Sequence, residues 1–206
     1  MKKILSIILI LIVSISYAED ESYLIDDSLA MARQGEFVRA SNLIVDLANN
    51  GDSTAQYVLS MYFRDPNALN IPELGEMWLM RAAENNNAKA QYDLGWRLAA
   101  GWKNDSVEDI VEMIYWFERA TFNGSEDAYA NLATLYENEF RDVLAEMEVA
   151  ANEGNAMAQF NLGWINARGL YSSEGLMQDM DVAKAWFEKS AKLGFNDAIE
   201  VLEKNF

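Results

Sequence analysis

The apolar and polar positions of this chain follow a pattern that is written more than once. The stretch AQYDLGWRLAAG at 90–101 returns as AQFNLGWINARG at 158–169. In both, Ala at offset 0, Leu at +4 and a small residue at +5 share one face of a helix, because side chains three and four apart stack along its axis. The same marker alanine opens AQYVLS at Ala55, AYANLA at Ala128 and AIEVLE at Ala198, so successive markers lie 35, 38, 30 and 40 residues apart. A period in this range predicts stacked helical hairpins. The residue at +5 is Ser60, Gly95, Ala133 or Gly163, small enough for a neighbouring helix to come close.

A second apolar helix precedes three of the markers. Trp78, Trp116 and Trp186 each stand twelve residues ahead of Ala90, Ala128 and Ala198, whereas Leu43 and Glu146 hold that place before Ala55 and Ala158. Four residues ahead of each marker stand Gly51, Asn86, Gly124, Gly154 and Gly194. Gly and Asn tolerate the left-handed conformation that ends a helix, so each unit reads as helix, turn, helix. The pattern predicts an all-α chain of about eleven helices. They fall near 21–34, 36–50, 53–63, 72–86, 88–100, 106–122, 126–137, 141–152, 156–167, 179–193 and 196–205. Connections vary most at 64–71, 102–106 and 170–178. With no linker rich in Gly, Pro or Ser, residues 19–206 read as a single domain.

The beginning of the chain follows another rule. Lys2 and Lys3 precede an apolar run from Ile4 to Ile15, Ser16-Tyr17-Ala18 supplies small residues, and the acidic Glu19-Asp20-Glu21 follows. This three-part pattern predicts a secretory signal peptide over 1–18. Its apolar run is shorter than the roughly 20 residues that span a bilayer. Export to the periplasm or the medium is therefore expected, with no stable membrane insertion after cleavage and no lipid anchor, since no Cys stands at the cleavage site.

Charge and missing residue types narrow the function. The chain carries 16 basic and 33 acidic residues, a formal charge of −17; without Lys2 and Lys3 it is −19. Such a field repels nucleic acid and attracts a basic partner, or simply keeps an exported protein soluble. There is no His and no Cys. His-based acid–base work, Cys nucleophiles, most zinc sites and disulfides are thereby excluded. The acidic clusters at 26–27, 105–109 and 179–181 lack the alternating ligands and central Gly of a calcium loop. No cofactor and no metal are expected. A carboxylate pair acting on a cell-wall glycan is the one enzymatic reading left.

The repeated marker, Leu94-Gly95 and Leu162-Gly163, the following Gly101 and Gly169, Tyr136, and Asp109 and Asp179 seven residues before Trp116 and Trp186 resemble the Sel-one-like repeat family, relatives of the tetratricopeptide repeats. The resemblance covers about 37–206, with Ala32 to Ala40 closer to a tetratricopeptide turn. It implies a right-handed α-solenoid of about five stacked repeats, and protein–protein interaction as an adaptor or scaffold of the bacterial envelope. An inhibitor or immunity protein that binds a basic toxin or enzyme is the alternative. It also implies that the Ala-Leu-Gly helices line a concave face. There, offsets +3, +6, +7 and +10 are the more open ones, nominating Asp93, Trp96, Arg97, Asn131, Thr134, Asn161, Trp164 and Arg168 as contacts for a protein or peptide. Trp and Arg dominate binding hot spots, although either Trp could equally fill a gap between helices. The protein is expected to be monomeric.

Overall fold

All eleven expected helices are present, and no strand occurs among the described residues. A computed structural model describes residues 22–101, 106–138, 140–169 and 178–206. The expected signal peptide and the connections at 102–105 and 170–177 lie outside the described residues. The helices are α1 (22–33), α2 (Phe37–Asn49), α3 (Ser53–Arg64), α4 (Pro72–Glu84), α5 (Ala88–Gly101) and α6 (Val107–Phe122). They continue as α7 (Glu126–Asn138), α8 (Phe140–Asn152), α9 (Ala156–Arg168), α10 (Met180–Lys192) and α11 (Asn196–Asn205). Two compact units divide them, one ending at Asn87 and one beginning at Ala88.

Local chemistry sets the boundaries. Asp52 accepts from the Ala55 amide at 2.7 Å and Asn155 from the Ala158 amide at 3.0 Å, so each caps the helix that carries a marker alanine. Ser125 does the same for Ala128 at 3.2 Å. Asp109 forms a capping box with Ser106, and Asp179 caps α10 through the amides of Asp181 and Val182. Both loop aspartates of the repeat pattern thus start helices. The five predicted turn residues all adopt positive φ, including the non-glycine Asn86 at 64°.

In the first unit α1 to α4 enclose a core of Ala40, Ile44, Leu47, Ala48, Ala55, Val58, Leu59, Tyr62 and Trp78. The buried Ser28 ties α1 to it, donating to the Ala40 carbonyl at 2.9 Å and lying 3.1 Å from the Tyr62 hydroxyl. Burial raises the pKa of that hydroxyl.

The second unit is organised around α6. Ile110, Val111, Met113 to Glu118 and Ala120 are all buried, so this helix is covered nearly all round by α5, α7, α8 and α9. Gly95 and Gly163 show why the +5 position is small. A Cβ on Gly95 would lie 2.7 Å from the Phe117 ring, and one on Gly163 would lie 2.5 Å from the Phe187 ring. Each glycine is a seat for the aromatic that follows a repeat tryptophan. Where +5 is Ser60 or Ala133, the partner position holds the smaller Leu79 or Met147.

Candidate functional site

The glutamine after each marker builds the scaffold on which a surface can be presented. Gln56, Gln91 and Gln159 are buried. Gln56 donates to the Ala48 carbonyl and Gln159 to the Ala151 carbonyl, each at 2.8 Å, closing the end of the preceding helix. The other face of the amide receives a bond from the residue capping the next helix. Asn85 donates to Gln56 at 2.9 Å, and Asn123 to Gln91 at 2.9 Å. The equivalent of these asparagines on α10 is Leu193, 55% exposed, and the Gln159 Oε1 has no partner among the described residues.

The eight sequence-nominated residues divide into two sets. On α5, Trp96 is 54% exposed, Arg97 is exposed and Asp93 half-buried. On α7, Asn131 donates to the Tyr92 hydroxyl at 3.2 Å, which joins α7 to α5, and Thr134 is exposed with its hydroxyl on the Ala130 carbonyl at 2.9 Å. The α9 set faces inward, against the expectation that its outer offsets are open. Asn161 is fully buried and donates to the Val111 carbonyl of α6 at 2.8 Å. Trp164 is half-buried, its ring 5.6 Å from Phe122, 6.3 Å from Phe160 and 5.5 Å from Phe187. Arg168 lies over the Trp164 ring at 4.9 Å and pairs with the fully buried Glu118. The cause is the packing of α6 on α9, which covers the offsets that would open in a groove lined by the marker helices alone. Of the two readings of the tryptophans, Trp164 follows the gap-filling one and Trp96 does not.

Several interactions escape the repeat pattern. Glu118, Phe122, Tyr115 and Asp197 take part in the packing of α6, and none was nominated. The Tyr115 hydroxyl donates to Asp197 Oδ2 at 2.9 Å and accepts from Arg119 at 2.9 Å, while Arg119 also pairs with Asp197. Burial pushes the Tyr115 hydroxyl up to about 12, because the phenolate would lose its hydration. Burial works against the charge of Arg119, but Tyr115 and Asp197 outweigh it and the guanidinium is held more firmly protonated. The signal for α6 is in the sequence: the unbroken run MIYWF at 113–117 leaves no polar face for solvent along that stretch. Among the described residues no cluster of three or more acidic side chains is placed to hold a metal ion.

No family model and no curated protein matches this chain. Among solved structures it is similar to a Sel1 repeat protein from Oxalobacter formigenes, with 24% identity and a TM-score of 0.42 over 81% of this chain and 66% of that one. It is also similar to c5321, a protective antigen present in uropathogenic Escherichia coli strains displaying an SLR fold, with 23% identity and a TM-score of 0.41 over 84% of this chain. The chain spans 66% of the length of the first and 37% of the second. Both structural neighbours are Sel1-type repeat proteins.

Proposed function

We propose that this chain is a protein-binding helical repeat protein, exported through its first eighteen residues and working as an adaptor or scaffold of the bacterial cell envelope. The observation that carries the reading is Trp96. It is 54% exposed on α5, beside the exposed Arg97, while its repeat equivalent Trp164 is packed between rings. A large aromatic left open beside a cation on a rigid helix suits a hot spot. Affinity capture from envelope extract at low salt tests it, with residues 19–206 as bait and Trp96→Ala as the paired bait. One protein that leaves the complex with Trp96→Ala, while helicity is unchanged, supports the reading. Capture that ignores the substitution places recognition elsewhere. Export is tested separately, by sequencing the amino terminus of the protein made in its own cell: a start at Glu19 supports it, and an intact Met1 sinks it.

The charge of −17 favours a narrower version, in which the protein inhibits or gives immunity against a basic toxin or enzyme. A captured basic hydrolase whose activity the protein suppresses would select this version. An assembly component of the envelope would select the adaptor.

A further inference from the structure

We propose that the outer face of α10 is a second docking surface, which takes the start of a partner's helix carrying an aromatic residue and, two positions on, an acidic one. This rests on the protein-binding reading above but not on Trp96. The face is a stripe at helical spacing: Val182, Trp186, Lys189 and Leu193 stand at i, i+4, i+7 and i+11, with Ala185 beside them. Val182 is 39% and Leu193 55% exposed. Ala185 and Lys189 are exposed, and Trp186 is half-buried with the Lys189 Nζ 3.6 Å from its ring centre. Within its own unit α10 packs on α9 and α11, turning Ala183, Phe187 and Ser190 inward. A row of apolar side chains is thus left in solvent around one cation.

The same face occurs on α6, and there it is covered. Aligned on the repeat tryptophans, Trp116 matches Trp186, Tyr115 matches Ala185, Phe117 matches Phe187 and Arg119 matches Lys189. On both helices the cation lies over an aromatic ring, Arg119 over Tyr115 at 5.7 Å and Lys189 over Trp186. The start of α11 covers the α6 copy. Asp197 accepts from the Tyr115 hydroxyl at 2.9 Å and pairs with Arg119, and the Phe195 ring lies edge-on to Tyr115 at 5.7 Å. Phe195 is the N-cap residue of α11 and Asp197 stands in its first turn, where a helix favours a carboxylate. The covered copy therefore states what such a face accepts: an aromatic residue, one spacer and a carboxylate at a helix start.

The differences between the two copies describe the second occupant. Lys189 keeps the demand for a carboxylate, and the exposed Lys192 lies three positions on. Asp181 and Glu188 each stand one residue from the stripe, about 100° round the helix, and so turn away from it. Ala185 in place of Tyr115 leaves the width of a phenol ring unfilled beside Trp186, so the partner's aromatic rests on the indole. Val182 and Leu193 give the rest of the partner helix an apolar rim.

The test uses protein 19–206 labelled with 5-fluorotryptophan. The Trp186 and Trp116 resonances are assigned by their loss in Trp186→Phe and Trp116→Phe. The probe is a synthetic peptide of residues 193–205, the chain's own α11 start. Salt is held at roughly 0.15 M, where a screening length of about 8 Å removes long-range repulsion between the chain's charge of −17 and an acidic peptide. A saturable shift of the Trp186 resonance is expected, with Trp116 unmoved. Peptides with Phe195→Ala or Asp197→Asn are each expected to bind about tenfold more weakly or worse. The protein with Lys189→Glu, its helicity intact, should lose the parent peptide and gain one with Asp197→Lys. A still Trp186 resonance up to roughly millimolar peptide overturns the inference. So does equal binding of the parent and Asp197→Lys peptides to the unchanged protein, which would mean the face reads no charge. A response at Trp116 instead would mean exchange with the protein's own α11 and would also overturn it. If the peptide fails while a captured native protein still depends on Trp96, the protein-binding reading stands and only the α10 surface is lost. If the peptide binds at Trp186 but no native protein is captured, the α10 chemistry holds and the broader reading fails.

Discussion

At the scale of single residues, the repeat explains both its rule and its exception. Asn85 and Asn123 complete the glutamine clamps of their units, but the same position on α10 is Leu193, and Gln159 Oε1 is left buried without a partner among the described residues. Leu193→Asn should supply the missing donor and remove an exposed leucine at once. We expect a gain of about 1 kcal/mol, the usual net value of one hydrogen bond. Urea denaturation monitored by helicity should show a higher midpoint at unchanged slope, and an unmoved midpoint would mean the oxygen is satisfied by solvent. Glycines divide into two kinds by the same reasoning. Gly154 sits at φ 96° with open space around it, so Gly154→Ala should cost about 1–2 kcal/mol through backbone conformation alone. Gly163 is helical and its missing Cβ is the space of the Phe187 ring. Gly163→Ala should therefore be rescued, at least in part, by Phe187→Leu, as Ser60 is matched with Leu79, whereas Gly154→Ala should not be. A double-mutant cycle measures the difference, and strict additivity would refute the seat-and-ring pairing.

At the scale of elements, α6 is where the protein departs from a simple stack. Tyr115 and Arg119 hold the start of α11 through Asp197, and Phe195 packs edge-on against Tyr115, ring centroids 5.7 Å apart, in the place where other units carry a polar cap. Because the Tyr115 hydroxyl is raised to about 12 from its ordinary 10, the folded state keeps its proton where the unfolded state has lost it. The contribution is complete below pH 10 and is lost as pH rises from 10 towards 12, on the order of 2 kcal/mol. Stability measured across that window should fall steeply in the native protein and less in Tyr115→Phe; parallel curves would refute the assignment. The helices themselves were legible in the sequence to within about two residues, since caps, turn glycines and marker spacing are local signals. Trp96 was legible as an open position for the same reason. Asn161 and Arg168 were not, because the Val111 carbonyl and Glu118 lie fifty residues away from them, and no local pattern announces that α6 will lie across α9. The run MIYWF carried that message, and it reads clearly only once a helix exists to be buried.

At the scale of the whole molecule, one quantity acts in two opposite directions. The chain has a formal charge of −17, and among the described residues α8 carries the exposed Asp142, Glu146 and Glu148, with the exposed Glu153 in the turn just after it. Their mutual repulsion opposes folding and is weakened by salt, with the screening length falling from about 30 Å at 0.01 M to about 10 Å at 0.1 M. The free protein should thus become more stable as sodium chloride rises over that range. The same screening removes the attraction that steers a basic partner to the surface, so the complex should weaken over the identical range, chiefly through slower association. Thermal unfolding of the free protein and stopped-flow binding to a captured basic partner, run in matched buffers, report the two slopes. Opposite signs are expected because repulsion within the chain and attraction to the partner arise from the same carboxylates. A complex indifferent to salt, beside a free protein that salt stabilises, would show that the acidic surface serves solubility alone and that recognition at Trp96 is apolar throughout.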